Sequence, residues 1–273
     1  MVAAWPWQGH SSVLFDPALA WTSLPRMLLG MLNTVGITAL VLVFGLALAI
    51  PITLARMSPR PLFNLPAAWF VLFFRGTPAL ILLYLVYYGL AQLPAVHDGV
   101  LWLVFSNAFA CAVIGLTLNH ASYLVEIMRG GLDTVPAGLT EASAALGISP
   151  RQTFAWIRFP LAMRYALKAY QNEVLMFTKG TAIVGVITVV DLTAAANEVF
   201  ERTYDPVTPM LVAAGLYWML VNVMRIGFDL LDRMLNRHLI ADEKRQRTPV
   251  AAQPQALLAR WTRLTTSRTE QVP

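Results

Sequence analysis

The chain has 273 residues, 57% of them hydrophobic and 13% charged, with a formal net charge of +5. A soluble globular domain carries about 25% charged residues, so this depletion, with apolar runs of about 20 residues, excludes a soluble fold and places the chain in the membrane class. The single cysteine, Cys111, lies in an apolar run and permits no disulfide framework within the chain.

Residues 1–28 hold Trp5, Trp7 and Trp21 with several prolines, and the first basic side chain is Arg26. Without a basic n-region this is not a secretory signal. Tryptophans of this kind favour an interfacial helix or loop. A first span is expected over about 29–54, since at about 1.5 Å per residue it crosses a core of about 30 Å with some tilt. Arg56 and Arg60 follow it, with Pro59 and Pro61 as breakers.

A second block, about 65–90, is interrupted by FRGTPAL from Phe74 to Leu80. Arg75 is expected near the cytoplasmic end, where it would snorkel. Pro78 removes a backbone donor and should bend the helix. Tyr84, Tyr87 and Tyr88 suit the far interface. A third block, about 100–128, contains Asn119, Tyr123 and Glu126 at three- and four-residue spacing, so they share a face that should point into the bundle. His120, a lone histidine on an apolar background, reads as a hydrogen-bonded packing residue.

The longest polar stretch between spans runs from Arg129 to Lys168 and carries Arg151, Arg158 and Arg164. The excess of arginine assigns it to the cytoplasm. Within it, Glu141 to Leu146 are strong helix formers, Gly147 can end that helix in a left-handed cap, Ser149 can cap a second helix, and Pro150 suits its first position. Two short cytoplasmic helices with a turn at Gly147 follow, a knob suited to a groove on a partner. A DNA reader uses a similar pattern, but a segment tethered at both ends to spans argues against nucleic acid.

The fourth block, about 165–190, is the least apolar and includes Asn172, Glu173 and Lys179. An intramembrane ionisable residue is a functional candidate by default. Glu173 has no basic residue three or four positions away and is a counter-charge candidate for a cationic cargo; a bond to another span, or to Lys179 across a partner subunit, is the competing role. Asp191 marks the outer end of this span. Residues 191–206 read as an acidic external loop, and a fifth block, about 207–226, has Arg225 at its end and is followed by Arg233 and Arg237. Five spans, with the N-terminus outside and the C-terminus inside, leave only Arg26 and Arg202 on the outer side. The tail, residues 238–273, is expected to be mostly disordered, with a short helix near Ala256 to Leu264.

Glu141, Ala142, Gly147, Ile157 and Pro160 keep every spacing of the E-A-A, G, I-x-L-P motif. The chain thereby resembles the permease subunits of ATP-binding-cassette importers. Ser143 replaces the second alanine and Phe159 the leucine. FRGTP (Phe74 to Pro78), YLVEIMRGGLDTVPAG (Tyr123 to Gly138) and NEVLMFTKGTAI (Asn172 to Ile183) are similar to the polar amino-acid subfamily. The run from Thr188 to Pro206 resembles permeases of the histidine, lysine, arginine, ornithine and opine systems. The resemblance covers residues 29–237.

It implies an all-α membrane protein of about five transmembrane helices in the type I importer fold, with a coupling loop over 129–164. Glu141, Ala142, Ala145, Gly147, Ile157 and Pro160 would engage a cytoplasmic ATP-binding subunit dimer. Glu126, Asn172, Glu173 and Lys179 would be candidates for the cargo path. A second permease subunit and a periplasmic amino-acid-binding protein would complete the complex in a bacterial inner membrane. No G-x-x-x-x-G-K-[ST] loop occurs, so ATP would be bound by the partner and no cofactor by this chain. No metal site or catalytic residue is expected, and nothing resembles a nucleophile–base pair or H-E-x-x-H. The rival is an ATP-independent channel or proton-coupled carrier using Glu126, His120 and Glu173 as a relay, although five spans do not divide into repeated halves.

Overall fold

The computed structural model describes residues 15–235, helical almost throughout and without a strand among them. Residues 1–14 of the interfacial segment, and the tail with its expected helix near Ala256 to Leu264, lie outside the described residues. The chain divides into two units, 1–228 and 229–273; the described part of the second is the last stretch of one helix.

Helix α1 runs from Pro17 to Arg56. It begins a dozen residues before the expected span because Asp16 caps it, its Oδ1 accepting from the amides of Ala18 and Leu19 at 2.9 and 3.2 Å. Helices α2 (Pro61–Gly76) and α3 (Ala79–Tyr84, continued by a wide turn over Leu85–Gly89) meet at 104°. Short helices α4 (Pro94–His97) and α5 (Trp102–Phe105) lead into α6 (Ala108–Asp133). The third span therefore starts at its Asn107 cap, not near Val100: Asn107 Oδ1 accepts from the Ala110 amide at 3.1 Å.

Helices α7 (Ala137–Ala145) and α8 (Pro150–Thr153) follow. The expected second short helix is not free-standing. Helix α8 passes through a wide turn over Phe154–Arg158 into α9 (Phe159–Gly180) and a tighter turn over Thr181–Ile187. The wide turn falls just before Pro160, whose ring offers no donor to the carbonyl of Trp156. Residues expected as an external loop form helix α10 (Leu192–Thr203), and α11 (Val207–Leu235) closes the described chain.

Helices α1, α6 and α11 are each long and apolar enough to cross a membrane. Two bent pairs, α2 with α3 and α8–α9 with α10 (52°), bring the number to five if each is one span. Helix α6 is the central element: Cys111, Ala112, Leu116, Ala121 and Val125 are buried against α1, α2, α3 and α9. At one end of the first unit, Met27 of α1, Leu192 and Ala196 of α10 and Ala213 of α11 form a small core. At the opposite end, Met57, Leu132, Val135, Phe154 and Ala162 join the turn after α1 to α6 and the start of α9.

Candidate functional site

Three places gather the residues singled out by sequence. The first is the α7–α8 pair. The chain turns at Gly147, whose φ of +72° a residue with a Cβ adopts only with strain. The amide of Ile148 donates to the Ser143 carbonyl and that of Gly147 to the Ala144 carbonyl, both at 3.0 Å, closing the end of α7. Ser149 and Gln152 then form a reciprocal capping box at the start of α8. Glu141, Ala142 and Ala145 are exposed. Ser143 is buried with its Oγ donating to the Leu139 carbonyl at 2.7 Å, so its departure from alanine does not alter the outward surface. Ile157, half-buried in the wide turn, and Pro160, at the start of α9, belong to the stem on which this pair stands.

The second place is the contact of α6 with α9. Glu173 Oε1 lies 3.6 Å from Nδ1 of His120, whose side chain is fully enclosed. At that distance the contact is ionic only when the imidazole is protonated, and it is not a hydrogen bond. Both ring nitrogens of His120 are enclosed and without a hydrogen-bond partner among the described residues. The ring packs 4.9 Å from that of Phe177 and 6.1 Å from Tyr170. The hydrogen bond expected of His120 is therefore replaced by a carboxylate neighbour 53 positions along the chain, which no local spacing signals. Asn172 and Lys179, two turns apart, share an exposed face of α9, one residue round from Glu173.

The third place lies between α1, α2 and α6. Glu126 is not beside His120. Its Oε2 accepts from Arg129 at 2.8 and 3.1 Å, and its Oε1 lies 4.0 Å from Arg56 Nε. Arg56 also donates to Asn64 Oδ1 at 2.6 Å. Arg75 is placed by sequence near the cytoplasmic end of the second block. It sits at the far end of α2, about 21 Å along the helix from Pro61, with its guanidinium 5.3 Å from the centre of the Tyr123 ring. Pro78 cannot donate to the carbonyl of Phe74, and Asn119 supplies the missing donor at 2.8 Å. Tyr123 reaches the Arg75 carbonyl at 3.5 Å. Asn119 and Tyr123 of the shared face thus point at the break in the second span, whereas Glu126 turns to Arg56 and Arg129.

Asp191 was expected only to mark a span end; it ties three helices. Its Oδ1 caps α10 through the Ala194 amide at 2.8 Å, and its Oδ2 accepts from Tyr217 of α11 at 3.0 Å. A Cβ on Gly30 of α1 would lie 2.6 Å from its carbonyl oxygen. Nearby, Thr34 accepts from the Leu192 amide and Asn33 donates to the Val190 carbonyl. Arg26 and Arg202, the two outlying cations of the charge pattern, both bind Glu198. No cluster of metal-ligating side chains occurs among the described residues.

Comparison with known proteins matches residues 42–237 to the family described as binding-protein-dependent transport system inner membrane component. The octopine transport system permease protein of Rhizobium radiobacter is 36% identical over 218 residues, 80% of this chain and 89% of that protein. The nopaline transport system permease protein of Agrobacterium fabrum is 36% identical over 227 residues, 83% and 94% of the two chains. An arginine ABC transporter permease protein of Haemophilus influenzae is 35% identical over 171 residues, 63% and 73%. A crystal structure of an amino acid ABC transporter with histidines superposes with a TM-score of 0.73 at 28% identity, covering 82% of this chain and 100% of that one. The inward-facing methionine ABC transporter shares the fold, with a TM-score of 0.64 at 19% identity over 81% and 99% of the two chains.

Proposed function

The chain belongs to the family of binding-protein-dependent transport system inner membrane components, and on that premise we propose that it is the permease subunit of an ATP-driven importer of basic amino acids or opines. Relatives named for octopine, nopaline and arginine support this class of cargo. The observation that carries the reading is the exposed α7–α8 pair, standing between two spans and turned at Gly147.

In this reading α7 enters a groove on a cytoplasmic ATP-binding subunit. Glu141 makes a polar contact there, Ala142 and Ala145 keep the helix thin, and Gly147 makes the turn. Ile157 and Pro160 join the pair to α9, so closure of the ATPases pulls on the fourth span. The arginine-rich end is cytoplasmic and the α10 end periplasmic, where a binding protein delivers the cargo.

Glu173 is the counter-charge for a cationic cargo, which displaces it from His120. Asn172 and Lys179 face the second permease across the path, because an exposed lysine is costly against lipid. Glu126 belongs to the path through the arginines that it holds. ATP is bound by the partner, and this chain carries no cofactor.

The test is uptake into proteoliposomes holding the permeases and the ATPase. Uptake should need both ATP and the binding protein. Uptake driven by a pH gradient alone would instead support the proton-coupled carrier. That alternative draws on the His120–Glu173 contact, but Glu126 pairs with Arg56 and Arg129 instead of extending a relay.

A further inference from the structure

The cavity between α1, α2 and α6 has a volume of about 340 Å³, within the range of small-molecule sites. Arg56, Arg75 and Glu126 line it, with Ala68, Val71 and Leu72 as its apolar wall. By count it holds two cations and one anion, but the geometry alters that balance. Glu126 is already bonded twice by Arg129. Arg56 keeps only the 4.0 Å approach to Glu126 and a neutral partner, Asn64, and its Nε is enclosed without an acceptor. Arg75 has the face of Tyr123 and no carboxylate partner among the described residues. The cavity is therefore under-neutralised, with two guanidiniums short of acceptors.

Arg75 lies in the last turn of α2, at the break of the bent α2–α3 pair, and a guanidinium within a membrane-spanning unit is costly unless water, protein or an anion meets it. Guanidinium forks match carboxylates in a bidentate geometry. A cavity of this size accepts one amino acid. We propose that this cavity is a cargo station that binds the carboxylate of the transported amino acid, with Arg75 as the principal ligand and Arg56 as the second. Glu126 is then the positioning residue that holds Arg56 at the wall, a role opposite in sign to that of a counter-charge for cargo.

The proposal rests on the reading of the chain as an amino-acid permease. Its test uses the complete transporter, with its ATPase and second permease, in nanodiscs and without binding protein. Binding of radiolabelled L-arginine is compared with that of L-argininamide, which keeps the cationic side chain and lacks the carboxylate. Wild type should bind arginine at least tenfold more tightly than the amide. Arg75→Met should lower arginine affinity at least tenfold and bind the two probes alike, with Arg75→Lys between. Ala68→Trp, which fills the cavity and leaves both guanidiniums, should also weaken arginine binding.

Equal binding of the two probes by wild type, unchanged discrimination in Arg75→Met, or no saturable arginine binding at millimolar concentration would overturn it. So would a loss of discrimination when phosphatidylglycerol is added to phosphatidylcholine discs, since a lipid phosphate would then be the anion. Uptake by the wild type separates the two levels. No ATP-dependent uptake sinks the permease reading itself, whereas normal uptake and unaltered discrimination by Arg75→Met sink only the cavity.

Discussion

Asn119 and Glu173 show how single side chains serve a broken membrane helix and an enclosed histidine. Pro78 frees a carbonyl within the second span, and Asn119 is its replacement donor. Asn119→Ala should leave that carbonyl unpaired at a cost of about 1–3 kcal/mol, read as a lower unfolding temperature in detergent; an unchanged temperature would mean that water already serves the site. The residue type and face of Asn119 were legible, but its partner depends on where α2 ends against α6. Glu173 gives a functional prediction. Glu173→Gln should cut uptake of a cationic amino acid by tenfold or more while leaving assembly with the ATPase intact. Equal uptake would assign Glu173 to packing with His120 alone. That pair, 53 positions apart, was invisible to spacing, because helical periodicity reports neighbours along one helix and not the register between two.

At the scale of the element, α7 and α8 followed from local rules. Helix formers, a glycine at the turn and a Ser149–Pro150 start produced the helix end, left-handed residue and capping box in the structure. A Cβ at Gly147 would meet nothing within 4 Å, so substitutions there act through φ and through any docked partner. Gly147→Ala should cost about 1 kcal/mol locally with uptake reduced but present. Gly147→Glu should leave the permease in the membrane and abolish substrate-stimulated ATP hydrolysis and uptake; normal values of both would refute a coupling role. Helix α10 was missed. Its charged residues, Glu198, Glu201 and Arg202, read as a loop, yet an Asp191 cap followed by buried Leu192, Ala195 and Ala196 is an amphipathic signature. Asp191→Ala should cost about 1–2 kcal/mol through the lost cap and also strand the Tyr217 hydroxyl. Tyr217→Phe should cost less, which thermal unfolding of the two variants would rank.

At the scale of the whole molecule, membrane sidedness is open to a simple measurement. Cys111 is the single cysteine and is buried, so a Cys111→Ala background permits labelling at chosen positions. Glu141→Cys should react with an impermeant maleimide only from the cytoplasmic face, and Glu201→Cys only from the periplasmic face. Labelling of both from one face would overturn the five-span topology. Sequence alone determined the solvent class, the approximate spans, the break at Pro78, the turn at Gly147 and the family, because hydropathy, proline and glycine chemistry and motif spacing all act along the chain. Only the tertiary structure decided that Arg75 lies beside Tyr123, that Glu126 approaches Arg56, that Glu173 faces His120, and that Asp191 ties α10 to α11. Each of these depends on how helices distant in sequence slide and rotate against one another, and that is set by packing around α6, which no local pattern encodes.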